Sequence, residues 1–309
     1  MDDKLTLSDY QKKAQETDQY KEQGSPQRLA MPFLGLVEDA GDVSRIYKEV
    51  IRSGDTIRDA QRDELEEKLG DILWFLTNIA EKAGLELNQI AKKNIKFTQD
   101  RWHGRVEPET VPLHDEDYPP DQQLPRKISI YFRETPVDSR IMMFVKDENG
   151  NEIPLGDKLN DNAYEDDGYR YHDVLHLAYY ALLGWSPVMR ALLKKKRKQN
   201  KTIDEVEDGA RAALLEEAVT AYIFQIANTP QNRLFESATE VDTKVLKTVR
   251  SITRHLEVKK ATLRQWERAI LKGYEIFRQI KTHKSGSVTI NLLERTITYS
   301  PPTGLPTST

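Results

Sequence analysis

Apolar residues recur at helical spacing through two adjoining stretches, LGLVEDAGDVSRIYKEV and DELEEKLGDILWFL. In the first, Leu36, Ala40, Val43, Tyr47 and Val50 make one stripe, with Glu38, Asp39 and Asp42 to its side. In the second, Leu65, Leu69, Ile72, Leu76 and Ile79 form the predicted core face, and Glu64, Glu67 and Asp71 lie one step round the cylinder. Two helices packed by those stripes bring the acid rows together. An earlier helix opens at Thr6 with Asp9 three residues on and breaks at EQGSPQ. The first acidic helix is expected from about Arg28 or Pro32 to Ile51, with Gly54 to end it; the second ends before Gly84. A further helical pattern, LNQIAKKNIKFTQDRW, carries Lys93, Asn94, Lys96 and Arg101.

The pattern then changes. VEPETVPLHDEDYPPDQQLPR holds five prolines and scattered acids, which predicts a linker or strap. KISIYFRE and RIMMFVKD alternate as strands, and the Asn-Gly of DENGNEIPL turns toward a third. Helical spacing returns over about 169–184, 187–198, 203–227, 242–256 and 261–280, and VTINLLERTITYS alternates as a closing hairpin. The fold class is therefore mainly α: an N-terminal helical bundle, then a helical C-terminal domain with a small antiparallel β-sheet. The expected domains are 1–105, a linker at 106–125, 126–300 and a frayed tail at 301–309.

Composition narrows the classes. With 309 residues, 38% hydrophobic, 31% charged and a net charge of −4, the chain reads as soluble and large enough for two domains. Zero cysteines exclude disulfides and thiolate metal sites and point to the cytoplasm. No apolar run approaches a membrane-spanning length, and the N-terminus MDDKLTLSDY lacks a signal-peptide pattern.

Two constellations carry chemistry. Acids converging from two helices repel one another unless a cation sits among them, and hard oxygen donors suit Mg2+ or Mn2+. Pairing with Arg45, Lys48 and Lys68 on solvated faces is the alternative that spacing leaves open. In YRYHDVLHLAYYALLGW, His172 and His176 stand at i and i+4 with Asp173 between them, and Glu216 and Glu217 lie in an apolar helical stretch. These five form either a second divalent-metal site or a buried histidine–carboxylate network. A zinc protease is disfavoured, because Asp173 is too short for the glutamate base. The run Arg190, Lys194, Lys195, Lys196, Arg197 and Lys198 offers a weak case for nucleic acid against a solvated helix end, with IDEVEDGAR following to neutralise it.

Over about the first hundred residues, LTLSDYQKKAQET, GLVEDAGDV, EEKLGDILWFL and the set Asn94, Lys96 and Arg101 resemble, in order, the MazG-like all-α nucleoside triphosphate pyrophosphohydrolases. The resemblance implies Mg2+- or Mn2+-dependent hydrolysis of ribo- or deoxynucleoside triphosphates to monophosphate and pyrophosphate. It places the metal at Glu38, Asp39, Asp42 and Asp71 and the catalysis on Glu38 and Asp42. Asn94, Lys96 and Arg101, with Lys93 beside them, would contact the substrate. Lys68 stands where that family carries a Glu, so Glu67 or Glu64 is expected to supply the missing ligand, or else the site binds a nucleotide or nucleic acid without turnover. The block from DDGYRYHD to LLEEAV resembles a C-terminal extension that accompanies some MazG-like domains. So short a bundle leaves apolar surface uncovered, which predicts a homodimer or higher homo-oligomer.

Overall fold

A computed structural model of the chain describes residues 5–19, 26–54, 56–102, 112–137 and 139–302. The chain divides into two compact units, residues 1–99 and 100–309. It is mainly helical, with one five-stranded sheet in the second unit. No helix among the described residues is long and apolar enough to cross a membrane.

In unit 1, α1 (Leu7–Glu16) starts with a reciprocal cap. The Thr6 hydroxyl accepts from the Asp9 N–H at 3.1 Å, and the Asp9 carboxylate accepts from the Thr6 N–H at 3.2 Å. Three further helices follow, α2 (Pro26–Ser53), α3 (Asp59–Lys82) and α4 (Leu87–Trp102). Buried Gln11 ties α1 to the turn between α3 and α4: its amide donates to Glu81 at 2.9 Å and accepts from the Leu87 N–H at 2.8 Å. A buried pair, Lys82 with Asp18 at 2.6 Å, reinforces the same end. The close approach of α2 to α3 needs Gly35, because a side chain there would collide with the Phe75 ring.

The buried faces of α2 and α3 are turned from those predicted. Ile46 and Ala80 are buried, whereas Tyr47, Leu69 and Leu76 of the expected stripes are 47%, 49% and 40% exposed. Contact of Gly35 with Phe75 sets the seam about one residue away, and Leu34, Val37 and Ile51 also stay exposed.

Unit 2 is built on the antiparallel sheet β3-β2-β1-β4-β5. Its strands are β1 (Lys127–Glu134), β2 (Ile141–Lys146), β3 (Glu152–Leu159), β4 (Ser285–Asn291) and β5 (Thr296–Ser300). The closing hairpin returns to the centre of the sheet, with Ile130 opposite Val288 and Ile128 opposite Ile290. Alternation buries Ile130, Phe132, Met143, Val288, Ile290 and Ile297 on one face. That face lies under α5 (Asp173–Leu183) and α10 (Leu263–His283), which contact each other where Gly273 meets Leu175 and Ala178. Every residue of α5 is buried, so its polar side chains must find partners inside the domain.

Around this core run α6 (Pro187–Leu192), α7 (Lys201–Val206), α8 (Ala210–Ala227) and α9 (Thr243–Ile252). The helix predicted over 203–227 is thus two helices, parted at Gly209, and that predicted over 187–198 stops at Leu192.

Two stretches expected at the surface are internal. Residues 106–111 of the predicted linker lie outside the described residues, but 112–125 belong to unit 2. Asp115, 1% exposed, accepts from the Leu124 N–H at 2.8 Å and pairs with Arg126 at 2.8 Å and Arg190 at 2.9 Å. In the basic run, Arg190 and Arg197 are not at a solvated helix end but buried. Arg197 reaches Asp208 at 2.6 Å and Glu257 at 2.8 Å, so IDEVEDGAR does neutralise it, through Asp208. Of the predicted tail, 303–309 lie outside the described residues.

Candidate functional site

In unit 1, the packing of α2 on α3 sets acids against a lysine. Asp39 is buried, and its Oδ1 accepts from Lys68 Nζ at 2.9 Å; Asp42 Oδ2 lies 3.2 Å from the same nitrogen. Hydrogen bonds to Asp39 and then Asp42 hold the Lys68 ammonium above its ordinary value, and that contact holds Asp42 below the usual carboxylate range. Arg45 binds Glu64 and also reaches Glu49 at 3.3 Å. Glu38, Glu67 and Asp71 are exposed. No three of the six acids bring oxygens within 4.8 Å of one another. Lys68 therefore occupies the point on which Asp39 and Asp42 converge.

The cations and amide of α4 divide between two fates. Lys93, Asn94 and Lys96 are exposed. Arg101, expected to meet substrate, instead belongs to unit 2 and is buried there. Its guanidinium donates to Glu267 at 2.8 Å and to the Val241 carbonyl at 3.1 Å, which commits it to holding the fold.

The second constellation lies at the start of α5. A left-handed Gly168 (φ 94°) turns the chain into a short 3-10 turn, Tyr169–Tyr171, which delivers His172 to the helix. His172 and His176 then follow one turn apart, with ring centroids 5.6 Å apart. Tyr169 stacks on His172 at 4.3 Å and 6°. Glu216 and Glu217 arrive from α8. Glu216 is fully buried and accepts three hydrogen bonds: from the His176 ring at 2.9 Å, the Ser186 hydroxyl at 2.7 Å and the Val188 N–H at 2.9 Å.

Glu217 faces both imidazoles. Its Oε2 is 3.7 Å from His172 Nε2 and its Oε1 is 3.3 Å from His176 Nε2, while Asp173 Oδ1 is 3.8 Å from His172 Nε2. Burial pushes the Asp173 carboxyl up. For His176 burial opposes charge, yet Glu216 and Glu217 outweigh it and hold the imidazole well above its ordinary value. Burial also acts to raise Glu217, but the nearby His176 imidazole, 3.3 Å away, keeps it below the usual range. Among the described residues, His172, Asp173 and His176 are the one group of three His, Asp or Glu side chains whose ligand atoms all lie within 4.8 Å. All five residues singled out in this half thus come together.

A separate cavity of about 680 Å³ is lined in part by Tyr131, Arg133, Phe144, Lys146 and His283. It includes none of the acids or histidines named above, and the pattern of alternating strand residues gave no signal for it.

The sequence profile described as the MazG C-terminal domain matches residues 109–303. Over 96 residues the chain is 30% identical to the Gene 37 protein of Mycobacterium phage L5, a stretch covering 30% of this chain and 84% of that protein. No solved structure matches. Since the match runs from ahead of the packed Asp115 turn to beyond the last strand of the sheet, the chain belongs to the MazG C-terminal domain family.

Proposed function

We propose that the protein hydrolyses nucleoside triphosphates to the monophosphate and pyrophosphate on the acidic face of α2 and α3. The observation that carries this reading is the convergence of Asp39 and Asp42 on a single positive charge, at 2.9 and 3.2 Å. A chain with a MazG C-terminal domain and the motifs GLVEDAGDV and EEKLGDILWFL gives it context. Hard carboxylate oxygens suit Mg2+ or Mn2+, and Asp39, Asp42, Asp71 and Glu67 would hold the ion, with Lys68 drawn aside. Such an ion offsets charge on the phosphate oxygens.

The chain's own groups then have distinct tasks. Glu38, exposed beside Asp39, orients the attacking water or takes its proton. The water oxygen bonds to phosphorus as the α–β anhydride bond breaks, and the electron pair leaves with pyrophosphate. Lys93 and Lys96 offset charge on the triphosphate, and Asn94 hydrogen-bonds the nucleoside. A second copy of the chain covers Leu34, Val37, Ile51, Leu69 and Leu76, exposed by 62%, 70%, 76%, 49% and 40%.

One observation favours a second reading. Lys68 already compensates Asp39 and Asp42, so the same face would bind a nucleotide without turning it over. Incubation of the full chain with Mg2+ and a panel of ribo- and deoxynucleoside triphosphates separates the two. Pyrophosphate release, lost in Asp42→Asn and Asp71→Asn, supports hydrolysis; orthophosphate release, or activity surviving both changes, rejects it. Tight nucleotide binding in calorimetry with no product supports the second reading.

A further inference from the structure

We infer that unit 2 carries a mononuclear site for a first-row divalent transition ion, held by His172 Nε2, His176 Nε2, Asp173 and Glu217. Ring orientation is the first ground. His176 Nδ1 is bonded to Glu216 at 2.9 Å and His172 Nδ1 to the Tyr169 carbonyl at 2.8 Å. Each outer bond places the Nδ1 proton away from the cluster, so both Nε2 atoms face inward, and an ion that binds there displaces the Nε2 proton of His176. Metal-ligating histidines are held in this way, one by a carboxylate and another by a backbone carbonyl. Glu216 is itself fixed by Ser186 and the Val188 N–H, so the outer shell is as well anchored as the ligands.

The second ground is an unspent atom. His176 is wholly buried, and among the described residues its Nε2 has no hydrogen-bond partner. Glu217 Oε1 lies 3.3 Å away but outside hydrogen-bond geometry. A bound ion would satisfy that buried atom.

Spacing is the third. Metal–nitrogen and metal–oxygen bonds of about 2.0–2.2 Å put neighbouring ligands of one ion roughly 3.3–3.6 Å apart. His172, Asp173 and His176 already hold ligand atoms within 4.8 Å of one another, and Glu217 lies 3.7 and 3.3 Å from the two imidazoles, so a turn of its carboxylate brings it to the ion. Two imidazoles with two carboxylates select a borderline ion such as Zn2+ over the harder Mn2+ and Mg2+. The Glu217 side chain is 40% exposed while His176 is sealed, so the ion enters on the Glu217 side.

The test uses the full chain, stripped with chelator and then titrated with Zn2+, Mn2+ and Mg2+ by calorimetry, with Co2+ absorption as an independent readout of coordination. One equivalent of Zn2+ is expected to bind at this site, with a higher melting temperature, separately from Mn2+ or Mg2+ held by the acids of α2 and α3. His172→Gln and Glu217→Gln should each weaken Zn2+ binding roughly tenfold or more, whereas Glu86→Gln, at an exposed acid of unit 1, should leave it unchanged. Glu217 is partly exposed, so its variant remains informative if His172→Gln fails to fold by circular dichroism. No Zn2+ binding by the wild type, or undiminished Zn2+ binding in folded Glu217→Gln, would overturn the site.

Discussion

Glu216→Gln is the most informative single change in unit 2. The carboxylate is fully buried and accepts from His176, Ser186 and Val188 at 2.9, 2.7 and 2.9 Å, which joins α5, the start of α6 and α8. An amide of the same shape keeps one acceptor oxygen and turns an NH2 toward one of these donors. The charge is lost, and at least one bond becomes a donor–donor contact. Bonds to a charged acceptor are worth about 1.5–3 kcal/mol, and an unsatisfied buried donor costs about 1–3 kcal/mol, so the loss should fall near 2–5 kcal/mol. For a unit of this size that lowers the melting temperature by roughly 4–20 °C. Guanidinium unfolding followed by tryptophan fluorescence reports it, because Trp185 and Trp266 are both buried in unit 2. A loss below about 1 kcal/mol would mean that Glu216 is not the anchor described.

Other perturbations probe other parts of the molecule. Lys68→Glu replaces the charge between Asp39 and Asp42 with the residue that the resembled family carries, and it should increase the Mg2+ affinity of unit 1 at least tenfold in calorimetry; unchanged affinity would show that Lys68 does not compete with the ion. Burial, with Arg197 and Arg190 nearby, holds the His114 imidazole below its ordinary value of 6.5 against the pull of Glu257. The unfolded chain then binds more protons below about pH 6.5, so stability should fall from pH 7.5 to 5.5, and less so in His114→Asn; equal slopes in urea titrations would refute the assignment. Light scattering on the full chain should give twice the chain mass of 35.7 kDa or more, and Val37→Glu should reduce it, since Val37 is 70% exposed. A monomeric wild type would end the oligomer reading.

Where side chains obey local periodicity, the chain was legible. The capped start at Thr6, the two acidic helices, the alternating strands and the i, i+4 histidines were all readable from spacing and turn chemistry. Long-range pairing was not. Asp115 and Arg190 meet over 75 residues of sequence, so a proline-rich stretch with scattered acids looked like a linker and a basic run looked solvated. Arg101 shares a helix with Lys93 and Lys96, but its partners Val241 and Glu267 lie 140 and 166 residues away, and nothing local marks its burial. The rotation of the α2–α3 seam came from the fit of Phe75 against Gly35, a steric match that hydrophobic spacing cannot register. At the candidate sites, residue types identified the clusters and offered Arg45 and Lys68 as partners of the acids, while the convergence of Asp39 and Asp42 on Lys68 and the inward Nε2 atoms needed coordinates.

Phosphorus NMR of a nucleoside triphosphate incubated with the full chain and Mg2+ addresses the proposed activity most directly. Resonances of pyrophosphate and nucleoside monophosphate are expected to grow together in equal amounts, and to be absent with Asp42→Asn. Orthophosphate with nucleoside diphosphate, or an unchanged spectrum across the whole nucleotide panel, would contradict it.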